Sequence, residues 1–197
     1  MNSLNQYYNK TKARLQSLLS KNTYRSKRIQ LLTRKRNNRI DDYLHRASRW
    51  IINHLVNNDI GKLIIGHNTG WKQSVNLGKQ VNQSFTGLPH SRLIEMLTYK
   101  ARLVGIEVIV REESYTSRAS FLSLDSIPTY GEDVSNAKFS GYRESRGMYK
   151  QRKAKTRINA DVQASYNLLR KEIPEIFARR GIEGCVVRPA RVTPSRN

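Results

Sequence analysis

Apolar and polar positions alternate along this chain with two different periods. Ile40, Leu44, Ala47, Ile51 and Leu55 recur at spacings of three and four, which is one face of an α-helix. The run predicts a long helix from about Thr23 to Asn57, preceded by a short amphipathic helix marked by Leu15, Leu18 and Leu19. GKLIIG (61–66) and IEVIVR (106–111) are short apolar runs that read as buried strands of a parallel sheet. Between them Pro89 opens a helix over 89–104, with Leu93, Leu97 and Val104 turned inward and Gly105 at its end. Strand, helix, strand in that order predicts a right-handed parallel crossover and an α/β fold. A last helix is predicted over 159–172, where Val162, Tyr166 and Leu169 share a face, Asn159 caps the start and Pro174 stops the end. The polar stretch 72–88 reads as a loop, 122–157 as irregular, and 181–197 as an extended tail.

Chemistry enters at two helix and strand ends. Asp161 falls in the first turn of the last helix, where the helix dipole favours a carboxylate. It either complements that dipole or stays ionised to hold a metal. Glu112 and Glu113 end the second strand, and the carboxyl ends of strands are where open α/β sheets build sites. A pair of surface acids at a strand exit is the other reading.

Charge narrows the partner. The chain carries 36 Lys and Arg against 15 Asp and Glu, a net +21, which points to a polyanion, nucleic acid first. Arg34, Lys35, Arg36, Arg39, Arg46 and Arg49 cover the polar faces of the long helix. Arg143, Arg146, Lys150, Arg152 and Lys153 form a second basic stretch interleaved with Phe139, Tyr142 and Tyr149, a mixture suited to a nucleic-acid strand. A solvated face and a basic disordered loop are the alternatives. The lone Cys185 excludes an internal disulfide and a cysteine-based zinc site. With no apolar run long enough for a membrane span and no apolar signal core near Met1, a cytoplasmic protein without a membrane partner is expected.

Six segments carry a resemblance: NQYYNKTKARLQS (5–17), LIIGHNTGWKQ (63–73), LPHSRLIEMLTYKARLVGIEVIVREESYTSRASFL (88–122), FSGYRESRGMY (139–149), INADVQASYNLLRK (158–171) and GCVVRPARVTP (184–194). Together they resemble the C-terminal part of transposon-encoded OrfB/TnpB proteins. That resemblance implies a RuvC-like, ribonuclease-H type fold and RNA-guided DNA cleavage at three carboxylates holding Mg²⁺, with kinship to type V CRISPR effectors. DNA is the implied partner, with a guide RNA in the intact family.

By the same resemblance Asp161 is the last of the three acids, and Asp161 and Glu113 are the metal ligands. Three departures follow. The leading strand that carries the first acid is expected to be missing. Gly66, His67 and Asn68 stand where the second acid usually sits, so Glu113, with Glu112 behind it, is expected to supply that acid from the next strand. The paired-cysteine zinc ribbon is absent. The expected product is a truncated RuvC-like fold: short parallel strands with flanking helices, leading strands missing, and a long basic N-terminal helix. Its expected divisions are a basic helical region (1–60), a strand–helix–strand core (61–121), an irregular basic insertion (122–157), a final helix (158–180) and a tail (181–197). The expected function is a truncated transposase or RNA-guided endonuclease family protein that binds nucleic acid, holds Mg²⁺ weakly or not at all, and does not cleave alone. A non-enzymatic basic DNA- or RNA-binding protein is the alternative.

Overall fold

The computed structural model describes residues 2–20, 23–68, 89–153, 156–177, 185, 188–190, 192 and 194. The expected loop over 72–88 lies outside the described residues, as does most of the tail over 181–197. The chain falls into two compact units, one helical and one mixed.

The helical unit contains α1 (Asn2–Ser17), α2 (Lys27–Asn57) and α3 (His90–Arg102). α1 starts well before Leu15 and ends before Leu18, which is 74% exposed. The predicted leucine cluster therefore straddles a helix end. α2 begins at Lys27 rather than near Thr23, because Ser26 is extended and its side chain accepts the Ile29 N–H at 3.3 Å, as N-caps do. Its buried face is Ile29, Ile40, Leu44, Ser48, Ile52 and Leu55. Ala47 and Ile51 are only half-buried, so the expected face is displaced by one residue in the second half. The reason is polar. Lys100 of α3 is buried, and its ammonium donates to Ser48 Oγ at 2.6 Å and His45 O at 2.8 Å. Ile40, Leu44 and Met96 form the core, flanked by Leu4, Tyr43 and Leu93. Val104, expected inside, lies past the end of α3 and is 44% exposed.

The mixed unit opens with β1 (Lys62–Gly66) and β2 (Glu107–Arg111), paired in parallel with Leu63 opposite Val108 and Gly66 opposite Arg111. Parallel pairing is as the apolar runs predict. Full burial is not: Leu63, Ile64 and Ile65 are half-buried and Val110 is exposed. Among the described residues this sheet has two strands, so it cannot bury both faces as wide parallel sheets do.

The stretch read as irregular holds an antiparallel sheet of β3 (Gly141–Ser145), β4 (Met148–Gln151) and β5 (Arg157–Asn159), in that order. Gly147, in the left-handed region (φ 86°), makes the β3–β4 turn. One face of this sheet helps build the core of Phe121, Tyr149, Ile158 and Ala160, joined by Leu122, Val162, Tyr166, Phe177 and Cys185. Phe121 stacks on Tyr166 with centroids 4.3 Å apart, and Phe177 meets it edge-on at 4.9 Å. α4 (Ala160–Glu172) follows β5 directly and packs on β1, β2, β4 and β5. It stops at Ile173 before Pro174, since the residue preceding proline avoids the helical region. No helix among the described residues is long and apolar enough to cross a membrane.

Candidate functional site

Asn159 is both the last residue of β5 and the cap of α4. Its Oδ1 accepts the N–H groups of Asp161 at 2.9 Å and Val162 at 3.1 Å. Asp161 is thereby held at the start of the helix with its carboxylate exposed. Glu113 comes from the other direction, two residues beyond the end of β2. Its N–H donates to Asn68 Oδ1 at 2.9 Å, which ties the exits of β1 and β2 together.

Both acids line one cavity of about 340 Å³, with Ile64, Gly66, Thr116, Ser165 and Leu168 among its walls. Gly66 makes room for Glu113. A Cβ on residue 66 would lie 2.6 Å from Glu113 Oε2, closer than real Cβ atoms come, so that carboxylate would have to move; at 3.1 Å from Glu113 Cβ and 3.3 Å from Leu168 Cδ2 the contacts would be tight.

Glu112 points elsewhere. Its carboxylate accepts from Lys171 Nζ at 2.7 Å and from the Ser114 N–H at 2.5 Å. Burial pushes its pKa up, but Lys171 and Ser114 outweigh that and hold it below the usual carboxylate range. Glu112 does not line the cavity that Glu113 shares with Asp161.

The segment between Glu113 and the core is fixed by α4 through two side chains that the sequence reading passed over. Asn167 and Gln163 are fully buried. Asn167 Nδ2 donates to the carbonyls of Thr116 at 2.8 Å and Ala119 at 2.7 Å. Gln163 Nε2 also donates to Ala119 O, and its Oε1 accepts the Phe121 N–H at 3.3 Å. Arg170 extends the brace to Asn167 Oδ1 and Asp125 O, both at 2.9 Å. Two amides spaced i, i+4 beside an apolar stripe were the available signal. Asp125 is engaged as well, accepting from Ser120 N, Ser140 N and Ser140 Oγ.

A pair of divalent ions needs more acid than this. Among the described residues no group of three His, Cys, Asp or Glu side chains is placed to hold a metal ion. Two carboxylates are the number that a single hydrated Mg²⁺ commonly takes, with several waters beside them; a metal pair takes more.

The basic residues divide by exposure. On α2, Arg34, Lys35, Arg39 and Arg49 are exposed. Arg36 is half-buried, donating to Asn5 Oδ1 at 3.2 Å and lying 5.3 Å from the Tyr8 ring centre. Arg46 bonds Asp42 at 3.0 Å and Pro194 O at 3.1 Å. In the mixed unit Arg143, Arg146, Arg152 and Lys153 are exposed, while Lys150 is 3.2 Å from Glu144. Arg152 covers the Tyr142 ring at 5.2 Å. Tyr149, expected among the surface aromatics, is instead fully buried, with its hydroxyl on Arg118 O at 3.0 Å. Burial, then the charge of Asp125, pushes its pKa up to about 12.

Comparison with known proteins agrees with this α/β arrangement. The chain matches a solved cryo-EM structure of a Cas12f1–sgRNA–target DNA complex with a TM-score of 0.52 and 21% identity, over 82% of this chain and 40% of that one. The chain thus spans well under half the length of the protein whose fold it shares. No curated protein matches. Residues 1–72 match the OrfB family described as a probable transposase, and residues 90–168 match the Cas12f1-like TNB domain. The matches thus point to one class, transposase-type α/β proteins. More particularly, the chain is similar to TnpB-type transposases, a family related to the type V effectors.

Proposed function

We propose that this chain is a nucleic-acid-binding protein of an insertion sequence, built on a RuvC-like, ribonuclease-H type frame, whose carboxylate site is incomplete for cleavage. The observation that carries the site reading is the meeting of Glu113 and Asp161 in one cavity, with Gly66 leaving the space that Glu113 fills. In the family's reaction divalent metal activates water and stabilises the leaving oxygen. Asp161 and Glu113 would hold the ion, Asn159 fixes the backbone under Asp161, and Asn68 fixes the backbone of Glu113. Glu112 is neutralised by Lys171 and serves the frame. DNA is the partner that the family and the net charge of +21 support, with guide RNA a further partner of the intact family.

The test is purified protein with single-stranded DNA and Mg²⁺ or Mn²⁺, beside Asp161→Ala. Binding is expected without cleavage attributable to this site. Cleavage that disappears in Asp161→Ala would show that another group completes the donor set. Binding to duplex DNA should weaken with salt, log K falling with log salt by about 0.9 per phosphate neutralised; affinity indifferent to salt would refute the electrostatic reading.

A further inference from the structure

The helical unit has a concavity of its own. It lies between α1 and the beginning of α2, measures about 680 Å³, and is lined by Tyr8, Lys12, Tyr24, Arg25, Ile29 and Arg34 among others. That is within the size range of pockets for small organic groups, roughly 300–1,000 Å³. Among the described residues no carboxylate lines it, and residues 1–40 contain no Asp or Glu at all. Lys12, Arg25 and Arg34 therefore have no acid nearby in sequence to neutralise them.

The inner wall is rigid. Ile29 is buried, Thr33 Oγ1 donates to Ile29 O at 2.8 Å, and the Tyr8 hydroxyl in turn donates to Thr33 Oγ1 at 3.0 Å. Arg36 lies over the Tyr8 ring at 5.3 Å and Lys12 at 6.0 Å, so that ring is already occupied by cations. Tyr24 differs. It is 74% exposed at the rim, and no ring or cation among the described residues stacks on it. An exposed aromatic face beside a cationic trough suits a strand whose bases are unstacked. A duplex keeps its base faces stacked and offers its backbone and groove edges instead.

We infer that the α1–α2 trough binds single-stranded nucleic acid, with an unpaired base stacked on Tyr24 and the adjoining phosphates held by Lys12, Arg25 and Arg34. This rests on the nucleic-acid reading above and adds to it a strand type and a place. The experiment measures affinity of the full chain for a short labelled single strand, the matching duplex, and heparin, which has charge but no bases. Tyr24→Ala should weaken the single strand roughly tenfold or more, as loss of one base–aromatic stack does, and leave duplex and heparin unchanged. Tyr24→Phe should bind like the native chain. Arg25→Gln with Arg34→Gln should weaken all three. Unchanged single-strand affinity in Tyr24→Ala, or an equal loss for heparin, overturns the inference while leaving the broader reading intact. If the native chain binds neither strand nor duplex at low salt, the broader reading itself fails. Because Tyr24 is exposed, circular dichroism of the variants is expected to match the native chain.

Discussion

At the scale of single residues, the informative positions are those where a side chain is absent or displaced. Gly66 makes the Glu113 carboxylate possible where it stands. Gly66→Ala should push Glu113 off and weaken Mn²⁺ binding, read by electron paramagnetic resonance, by roughly tenfold, the scale on which loss of supporting contacts acts on metal sites. Melting behaviour should change little by comparison. Glu112 gives a pH signature. Its pKa is held below the ordinary 4.5, so its contribution to stability is complete above that value and is lost as pH falls through the folded-state pKa. Glu112→Gln should flatten that part of the acid limb in a denaturation series. Of these residues, Asp161 was legible as a candidate from its place after a good cap. The division of labour between Glu112 and Glu113 was not legible from spacing, because it depends on Lys171, 59 positions away.

At the scale of elements, α4 is the best example of what pattern reading captures and what it misses. Its span, its Asn159 cap and its stop before Pro174 follow from local chemistry, so they could be read directly. Its most buried face could not, because Gln163 and Asn167 count as surface residues in any hydrophobic pattern. They are buried because they replace water for the carbonyls of Thr116 and Ala119. Asn167→Leu should strip the Thr116 carbonyl of its Asn167 donor, while Ala119 keeps Gln163, and cost about 1–3 kcal/mol, measurable by urea unfolding. The β3–β4 hairpin escaped for a related reason: of β4 only Tyr149 is fully buried, and in β3 Tyr142, Arg143, Glu144 and Ser145 are all exposed. Helix α2 was displaced in its second half by Lys100, whose two oxygen partners are neutral. Burial, then Arg49, lowers the Lys100 pKa from 10.5. The sign follows: stability should rise as pH climbs from the folded-state value towards 10.5, where the unfolded chain holds more protons. Lys100→Met should remove that alkaline rise in a pH series of thermal melts.

At the scale of the whole molecule, a net charge of +21 on 197 residues means that self-repulsion opposes folding in dilute buffer and that salt relieves it. Raising NaCl from low to physiological strength should raise the melting midpoint; a gain on the order of 1 kcal/mol corresponds to roughly 2–4 °C for a chain of this size. The same addition should weaken nucleic-acid binding, so the two measurements should move in opposite directions. The brace of Gln163 and Asn167 on the 116–121 segment has a last consequence, for change of length. Asp161 is counted off from those amides along one helix, and a helix turns about 100° per residue. One residue inserted between 161 and 163 would swing the acid a quarter-turn out of the cavity while every cap and core contact downstream survived. One inserted near 133, in the exposed stretch between β2 and β3, would leave the acids where they are. Descendants of this chain should therefore differ freely in length around 133 and hardly ever between 159 and 167.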